Sequence, residues 1–311
     1  MTIPASLRSG LTLPVVAAPM FLVSGPDLVI AACKSGIIGT FPALNQRSSE
    51  GYAVWLEQIS AALTPEDARF GVNLIVHQTN RRLEADLKLT VDHKVPLVIT
   101  SLGAASEVVD SVHAYGGVVF HDVISVRHAE KAAEAGADGL ILVCAGAGGH
   151  AGTLNPFALL GEVRRFFKGT IILSGALSSG RDVAAARLMG ADLAYMGTRF
   201  IATPEALAPE AYKAMLLEAQ AKDIIYTPAV SGVAASFLAP SLAANGFTPE
   251  VLASGHRPEM DISHKEAKAW KTVWSAGQGV GAIGDILPVQ EVVAQLRADY
   301  QQACDTFSAT F

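Results

Sequence analysis

Asp138 to Asn155 reads DGLILVCAGAGGHAGTLN, a buried strand running straight into a glycine-rich loop that carries one histidine. Leu140, Ile141, Leu142 and Val143 form an unbroken apolar run, as a parallel strand covered on both faces requires, and the helical stretch AEKAAEAG stands just before it. Gly146, Gly148 and Gly149 strip side chains from the backbone leading to His150. Such a loop lets a flat ligand approach the main chain. A lone histidine is also often a satisfied core or surface residue, so the loop alone leaves both readings open.

Outward from this stretch the chain alternates short β-branched runs with longer alanine-rich segments, the rhythm of a parallel α/β sheet. Before it come strands at Val15–Ala18, Ile37–Thr40, Phe70–Ile75, Leu97–Thr100 and Val118–His121, and after it strands at Thr170–Ser174 and Leu193–Met196. Helices fall between them, such as Pro26–Lys34, with proline at its first turn, and the amphipathic segment bearing Tyr52, Trp55, Leu56 and Ile59, which Ser48 or Ser49 can cap. Gly-Ala-Asp occurs twice, at 136–138 and 190–192, each time between a helix and a strand, where glycine is the expected helix stop. Eight units within about 200 residues match a (β/α)8 TIM barrel.

Past Thr203 the rhythm breaks. Residues 204–270 read as helical or irregular, punctuated by six prolines and without a clear strand. The expected organisation is a barrel from residues 1–203 and 274–311 carrying a helical cap, 204–273, on the substrate side. The closing piece holds a glycine-rich turn, Ser275 to Gly281, and a helix with Val289, Val292, Val293 and Leu296 on one face.

The composition narrows the function classes. Of 311 residues 50% are hydrophobic and 17% charged, enough for a large core. The formal charge is -6 and the basic residues are scattered, so no stripe awaits nucleic acid. Three distant cysteines argue against a disulfide framework or a zinc site and make a reducing cytoplasm the expectation. Residues 11–23 resemble the apolar core of a secretory signal, but Pro14 and Pro19 interrupt the run and a first barrel strand is the better reading. No apolar run reaches the roughly 18 residues of a membrane helix, so a soluble protein is expected.

In a TIM barrel, function sits at the C-terminal ends of the strands. Those ends carry Ala18-Pro19-Met20, Asn73, His121-Asp122, the His150 loop, Ser174-Gly175-Ala176 and Met196-Gly197-Thr198-Arg199. Loops after the seventh and eighth strands commonly bind a phosphate with help from a helix N-terminus. Ser174-Gly175 and Gly197-Thr198 suit that role, although tight turns alone also call for glycine there. Gly279-x-Gly281-x-x-Gly284 matches the dinucleotide fingerprint in form, but Glu266 to Trp274 ahead of it reads as helix, so the strand that gives the motif meaning is missing. The remaining histidines have no metal-like spacing.

Taken together, the Ala-Pro-Met at 18–20, Gly71-Val72-Asn73, the AGGH-x-G motif leading into Gly152, the Ser-Gly at 174–175 and Met-Gly-Thr-Arg-Phe at 196–200 resemble the nitronate monooxygenases. These are FMN-dependent TIM-barrel oxidoreductases, similar in turn to flavin-dependent enoyl-thioester reductases and NADH:quinone reductases. The resemblance runs over residues 14–203 and resumes at 274–281. It implies that Ala18, Pro19 and Met20 lie beside the flavin ring, that Asn73 reaches the FMN, and that Ser174, Gly175, Ala176, Gly197 and Thr198 surround its phosphate. Gln278 lies near the flavin in the same reading, and His150 matches the active-site histidine. Some relatives have lysine at the position of Asp122 and an acidic residue at that of Val143. Many have Gly-Gly where this chain has Gly175-Ala176, so Ala176 must still allow close backbone approach.

The expected chemistry needs little acid–base machinery. His150 can be the base that takes the proton next to a neutral nitro group, or the charged partner of a nitronate already formed. His121 is a second candidate, placed at a strand end where it can face the same cavity. The leading reading is oxidation of an alkyl nitronate, such as propionate 3-nitronate, or a nitroalkane with O2. Alternatives are an NAD(P)H-dependent reductase of quinones or enoyl thioesters, and a flavin-binding sensor without turnover.

Overall fold

Each short apolar run becomes one wall of a closed barrel. The computed structural model describes residues 2–103, 106–255 and 271–310. β1 (Val15–Ala17), β2 (Ile38–Pro42), β3 (Phe70–Ile75), β4 (Leu97–Ser101), β5 (Val118–Val123) and β6 (Gly139–Val143) follow in order. A two-residue strand outside the barrel, β7 (Gly149–His150), is followed by β8 (Thr170–Ser174) and β9 (Leu193–Met196). The barrel closes in the order β1-β2-β3-β4-β5-β6-β8-β9, with every pairing parallel and β9 returning to β1 through Val16 opposite Tyr195. The expected TIM barrel is thus present.

Strand alternation sorts the side chains. Val16, Ile38, Leu97, Ile99, Phe120, Ile141, Ile172 and Leu193 fill the barrel interior, while Val72, Val98 and Val119 pack outward under the helices. At the amino end, Ile3 and Leu7 join the interior set and plug the bottom. The C-terminal helix, Val289–Thr310, buries Val289, Val292, Val293 and Leu296 as its periodicity requires. It packs on the helix Gly180–Met189, where a β-carbon at Gly180 would lie 2.0 Å from the Leu296 carbonyl oxygen.

The repeated Gly-Ala-Asp unit has a physical cause. Gly136 and Gly190 both take positive φ, 89° and 104°, and end their helices. The aspartate two residues on clamps the preceding strand: Asp138 N donates to Val119 O (2.8 Å) and its Oδ2 accepts from Val119 N (2.8 Å). Asp192 repeats this with Ile171, at 2.6 and 3.0 Å.

The segment after Thr203 differs from its sequence reading. It holds helices such as Glu210–Glu218, and also two strands, β10 (Ile224–Thr227) and β11 (Ala235–Leu238). These pair antiparallel, and β11 adds onto β7, so a three-stranded sheet stands outside the barrel. The four-residue strands are too short for a period-2 signal, and the prolines around them masked the hairpin. The helix expected over 266–274 lies mostly outside the described residues, as do His256 and His264; residues 271–274 form a turn and bend. Among the described residues no helix is long and apolar enough to cross a membrane.

Candidate functional site

The glycine loop, the two phosphate-loop candidates and the late glycine turn meet at one end of the barrel. Gly146 O accepts from Ala176 N (3.2 Å) and from Gln278 N (2.8 Å). Thr198 Oγ1 accepts from Gly277 N at 2.9 Å, tying the end of β9 to the same turn. A β-carbon at Gly148 would stand 2.8 Å from Gly277 N, and one at Gly277 would stand 2.7 Å from Gly146 O. The two loops therefore lie backbone against backbone, which only glycine permits.

Between them is a small cavity walled by Gly146–Gly148, Ser174–Ser178, Tyr195, Gly197–Thr198, Gly277 and Gly279. All five residues expected around a phosphate, Ser174, Gly175, Ala176, Gly197 and Thr198, line it. Ala18 and Met20 lie beside it: a β-carbon on Gly197 would be 3.7 Å from Ala18 Cβ and 3.4 Å from Met20 Sδ. Pro19, half-buried, stands between them at the end of β1. Gln278 contributes its backbone to the loop stack, and its Oε1 approaches Gly146.

Sequence reasoning missed Ser178. Its hydroxyl is buried against the cavity and has no hydrogen-bond partner among the described residues. Such a group costs free energy unless something accepts or donates to it. The helix N-terminus behind it, in contrast, is already satisfied. Ser179 caps it, and Asp182 Oδ2 accepts from the Ser178 and Ser179 amides at 2.8 Å each. On the Ser174–Ser178 side the donor set facing the cavity is therefore hydroxyl and loop backbone, while the helix that starts at Thr198 on the other wall has no side-chain cap. A phosphate suits this cradle: six of its wall positions carry no β-carbon, and Ser178, whose hydroxyl is unmet, is part of its wall. Removing that hydroxyl in Ser178→Ala should leave thermal stability unchanged or slightly higher and weaken binding of a phosphate-bearing ligand roughly tenfold in a titration.

Ala176 meets the close-approach requirement at a cost. Its φ is +56°, in the left-handed region, where an L residue loses roughly 1–2 kcal/mol. Ala176→Gly removes that strain and returns about 0.4–1 kcal/mol as extra unfolded-chain entropy. The expected net is about 1 kcal/mol of added stability, measurable as a higher denaturation midpoint.

His150 sits at the rim on β7, opposite Ala235 of the hairpin and half-buried. Its Nε2 lies 3.4 Å from Ser231 Oγ. That hydroxyl donates to Val233 O at 3.1 Å, so toward the imidazole it accepts, which makes Nε2 the protonated nitrogen. Burial pulls the His150 pKa down to about 4, so the ring is neutral near pH 7.

His121 does not share this site. β5 runs on to Val123, and His121 follows Val119 on the helix-facing side of the wall, where its Nδ1 meets Thr100 Oγ1 at 2.6 Å. Burial and the nearby His128 lower its pKa to about 4. One strand position decides this, because adjacent side chains point to opposite faces. The inward residue is Asp122, on the face of Val118 and Phe120. Its Oδ2 accepts from Ser101 Oγ at 2.5 Å, and Ser101 Oγ accepts from Asn73 Nδ2 at 2.7 Å. Asn73 is buried in the barrel mouth. Burial raises the Asp122 carboxyl to about 6. No group of three metal-binding side chains occurs among the described residues.

Comparison with known proteins bears on the family and the fold. The family model described as nitronate monooxygenase matches residues 77–299. A (3aS,4S,5R,7aS)-5-hydroxy-7a-methyl-1-oxo-octahydro-1H-indene-4-carboxyl-CoA dehydrogenase from Rhodococcus jostii is 30% identical over 72% of this chain, which spans 62% of that relative's length. A nitronate monooxygenase from Paraburkholderia phytofirmans is 25% identical over 95% of this chain and 94% of its own. The solved nitroalkane oxidase from Streptomyces ansochromogenes superposes with a TM-score of 0.81 at 25% identity, covering 97% of this chain and all of that one. With most of its length matched by the family model and the barrel, cradle and histidine loop in the order its motifs require, the chain belongs to the nitronate monooxygenase family.

Proposed function

We propose that this chain binds FMN across the barrel mouth and oxidises alkyl nitronates, such as propionate 3-nitronate, with O2. The observation that carries the reading is the glycine cradle with its unmet Ser178 hydroxyl, set at the same end of the barrel as a half-buried, uncharged histidine. Ser174, Gly175, Ala176, Gly197, Thr198 and Ser178 hold the phosphate; Ala18, Pro19 and Met20 flank the ring; Asn73 reaches its polar edge. FMN, when bound, takes the electrons from the substrate and passes them to oxygen.

The chain's own residues orient and exclude. A neutral imidazole is the form that burial favours, so His150 serves as a base and hydrogen-bond partner rather than as a fixed cation. Toward a nitroalkane it takes the proton from the carbon beside the nitro group. Toward a nitronate, which lacks that proton, it only orients the anion. The described part of the segment after Thr203 serves as the cap on the substrate side, with the β10–β11 hairpin bringing Ser231 to His150.

A second reading has its own support. The identity to a carboxyl-CoA dehydrogenase favours a thioester substrate. Mixing the FMN-loaded protein anaerobically with an alkyl nitronate, and separately with NADH or NADPH, decides between them. Rapid bleaching by the nitronate alone is the expected result. Bleaching only by the pyridine nucleotides selects the reductase, and failure to take up FMN removes both.

A further inference from the structure

The inner face of the barrel mouth carries a three-residue polar chain that no step above uses. Asn73 on β3, Ser101 on β4 and Asp122 on β5 occupy successive strands, each on the face that also carries interior residues such as Ile99 and Phe120. Ser101 has one proton, and Asp122 Oδ2 takes it at 2.5 Å. Toward Asn73 the Ser101 oxygen can therefore only accept, which obliges Asn73 to turn its NH2 to it, at 2.7 Å. The same NH2 lies 3.3 Å from the Ile99 carbonyl oxygen, a longer contact that accompanies the one to Ser101.

We propose that Asp122 is a positioning residue that, through Ser101, sets the direction of the Asn73 amide so that its carbonyl oxygen is the atom offered to the ligand. An amide offering oxygen selects a ligand edge that carries N–H. The pyrimidine edge of an oxidised flavin has one, the imide N–H, so the assignment rests on the reading that FMN occupies the mouth. The carboxyl, raised by burial to about 6, is mostly ionised at neutral pH and can only accept there, which gives the chain a single polarity. Its second oxygen, Oδ1, is sealed from solvent and has no partner among the described residues, so nothing competes to reverse that polarity.

The test uses the full-length chain labelled with 15N and FMN labelled with 15N at the imide, at about pH 7.5, well above the carboxyl midpoint. Wild type should show a slowly exchanging Asn73 NH2 with or without FMN, and a protected imide proton when FMN is bound. Asp122→Ala and Ser101→Ala should lose both signals and bind FMN roughly tenfold more weakly. Asp122→Asn keeps an acceptor for the Ser101 hydroxyl and should retain both signals and near-wild-type affinity, whereas Asp122→Leu, which keeps the volume without the acceptor, should lose them, a contrast that a general packing role does not give. Unchanged NH2 and imide signals in Asp122→Ala, or an Asp122→Asn protein that behaves like the alanine variant, overturn the assignment. If wild type takes up no FMN, the flavin reading fails, and the Asn73 NH2 signals in the ligand-free proteins still decide whether Asp122 directs the amide.

Discussion

Replacing His150 with alanine should lower kcat for nitroalkane oxidation by roughly 10²–10⁴-fold while FMN stays bound, since the loss is that of a positioned base. The cradle is built from other residues, and β7 is held to β11 by backbone pairing that alanine preserves. The visible flavin spectrum is thus the internal control. Wild-type kcat/KM should be flat from neutral pH down and fall only as the pH drops through about 4, where the buried imidazole takes up its proton. The alanine variant should lack that limb. A preformed nitronate, which needs no base, should lose far less rate, and equal losses on both substrates would assign His150 a binding role instead. Unchanged turnover in the variant removes the assignment.

The second large effect belongs to the loop stack. In Gly277→Val the new β-carbon falls 2.7 Å from Gly146 O and 3.0 Å from Gly148 N, both backbone atoms that cannot rotate away. The loops must separate, at a cost of about 1–3 kcal/mol in stability. The cradle wall moves with them, so FMN affinity should fall on the order of a hundredfold, the equivalent of the upper end of that range. Calorimetry and a flavin titration on the same sample check both halves. A variant that binds FMN normally would show that the late glycine turn is no part of the cradle.

Much of this architecture was legible in the sequence. Parallel strands buried on both faces announce themselves as apolar runs, and the helix stops at Gly136 and Gly190 mark their beginnings. The cradle was legible because close backbone approach demands glycine, and glycine stands out in a sequence. What escaped is what depends on side-chain direction or on distant partners. His121 was misjudged because adjacent residues on a strand take opposite faces and the sequence does not say which of the two turns inward, and Asp122 was passed over for the same reason. Ser178 lies in a Leu-Ser-Ser-Gly run whose next serine is an ordinary helix cap, so its unmet hydroxyl had no sequence signal. The β10–β11 hairpin escaped because its partner, β7, is two residues long and more than seventy positions away.

That hairpin ties recognition to rate. His150 does not stand on the barrel wall; its backbone is zipped to Ala235, and its ring leans on Ser231. Any rearrangement of the 228–234 loop to suit a different ligand therefore rotates the imidazole too. A lineage exploring new substrates through this loop cannot retune its selectivity while leaving turnover untouched. Descendants with altered preference should carry compensating changes at Ser231 and along β11, rather than inside the barrel.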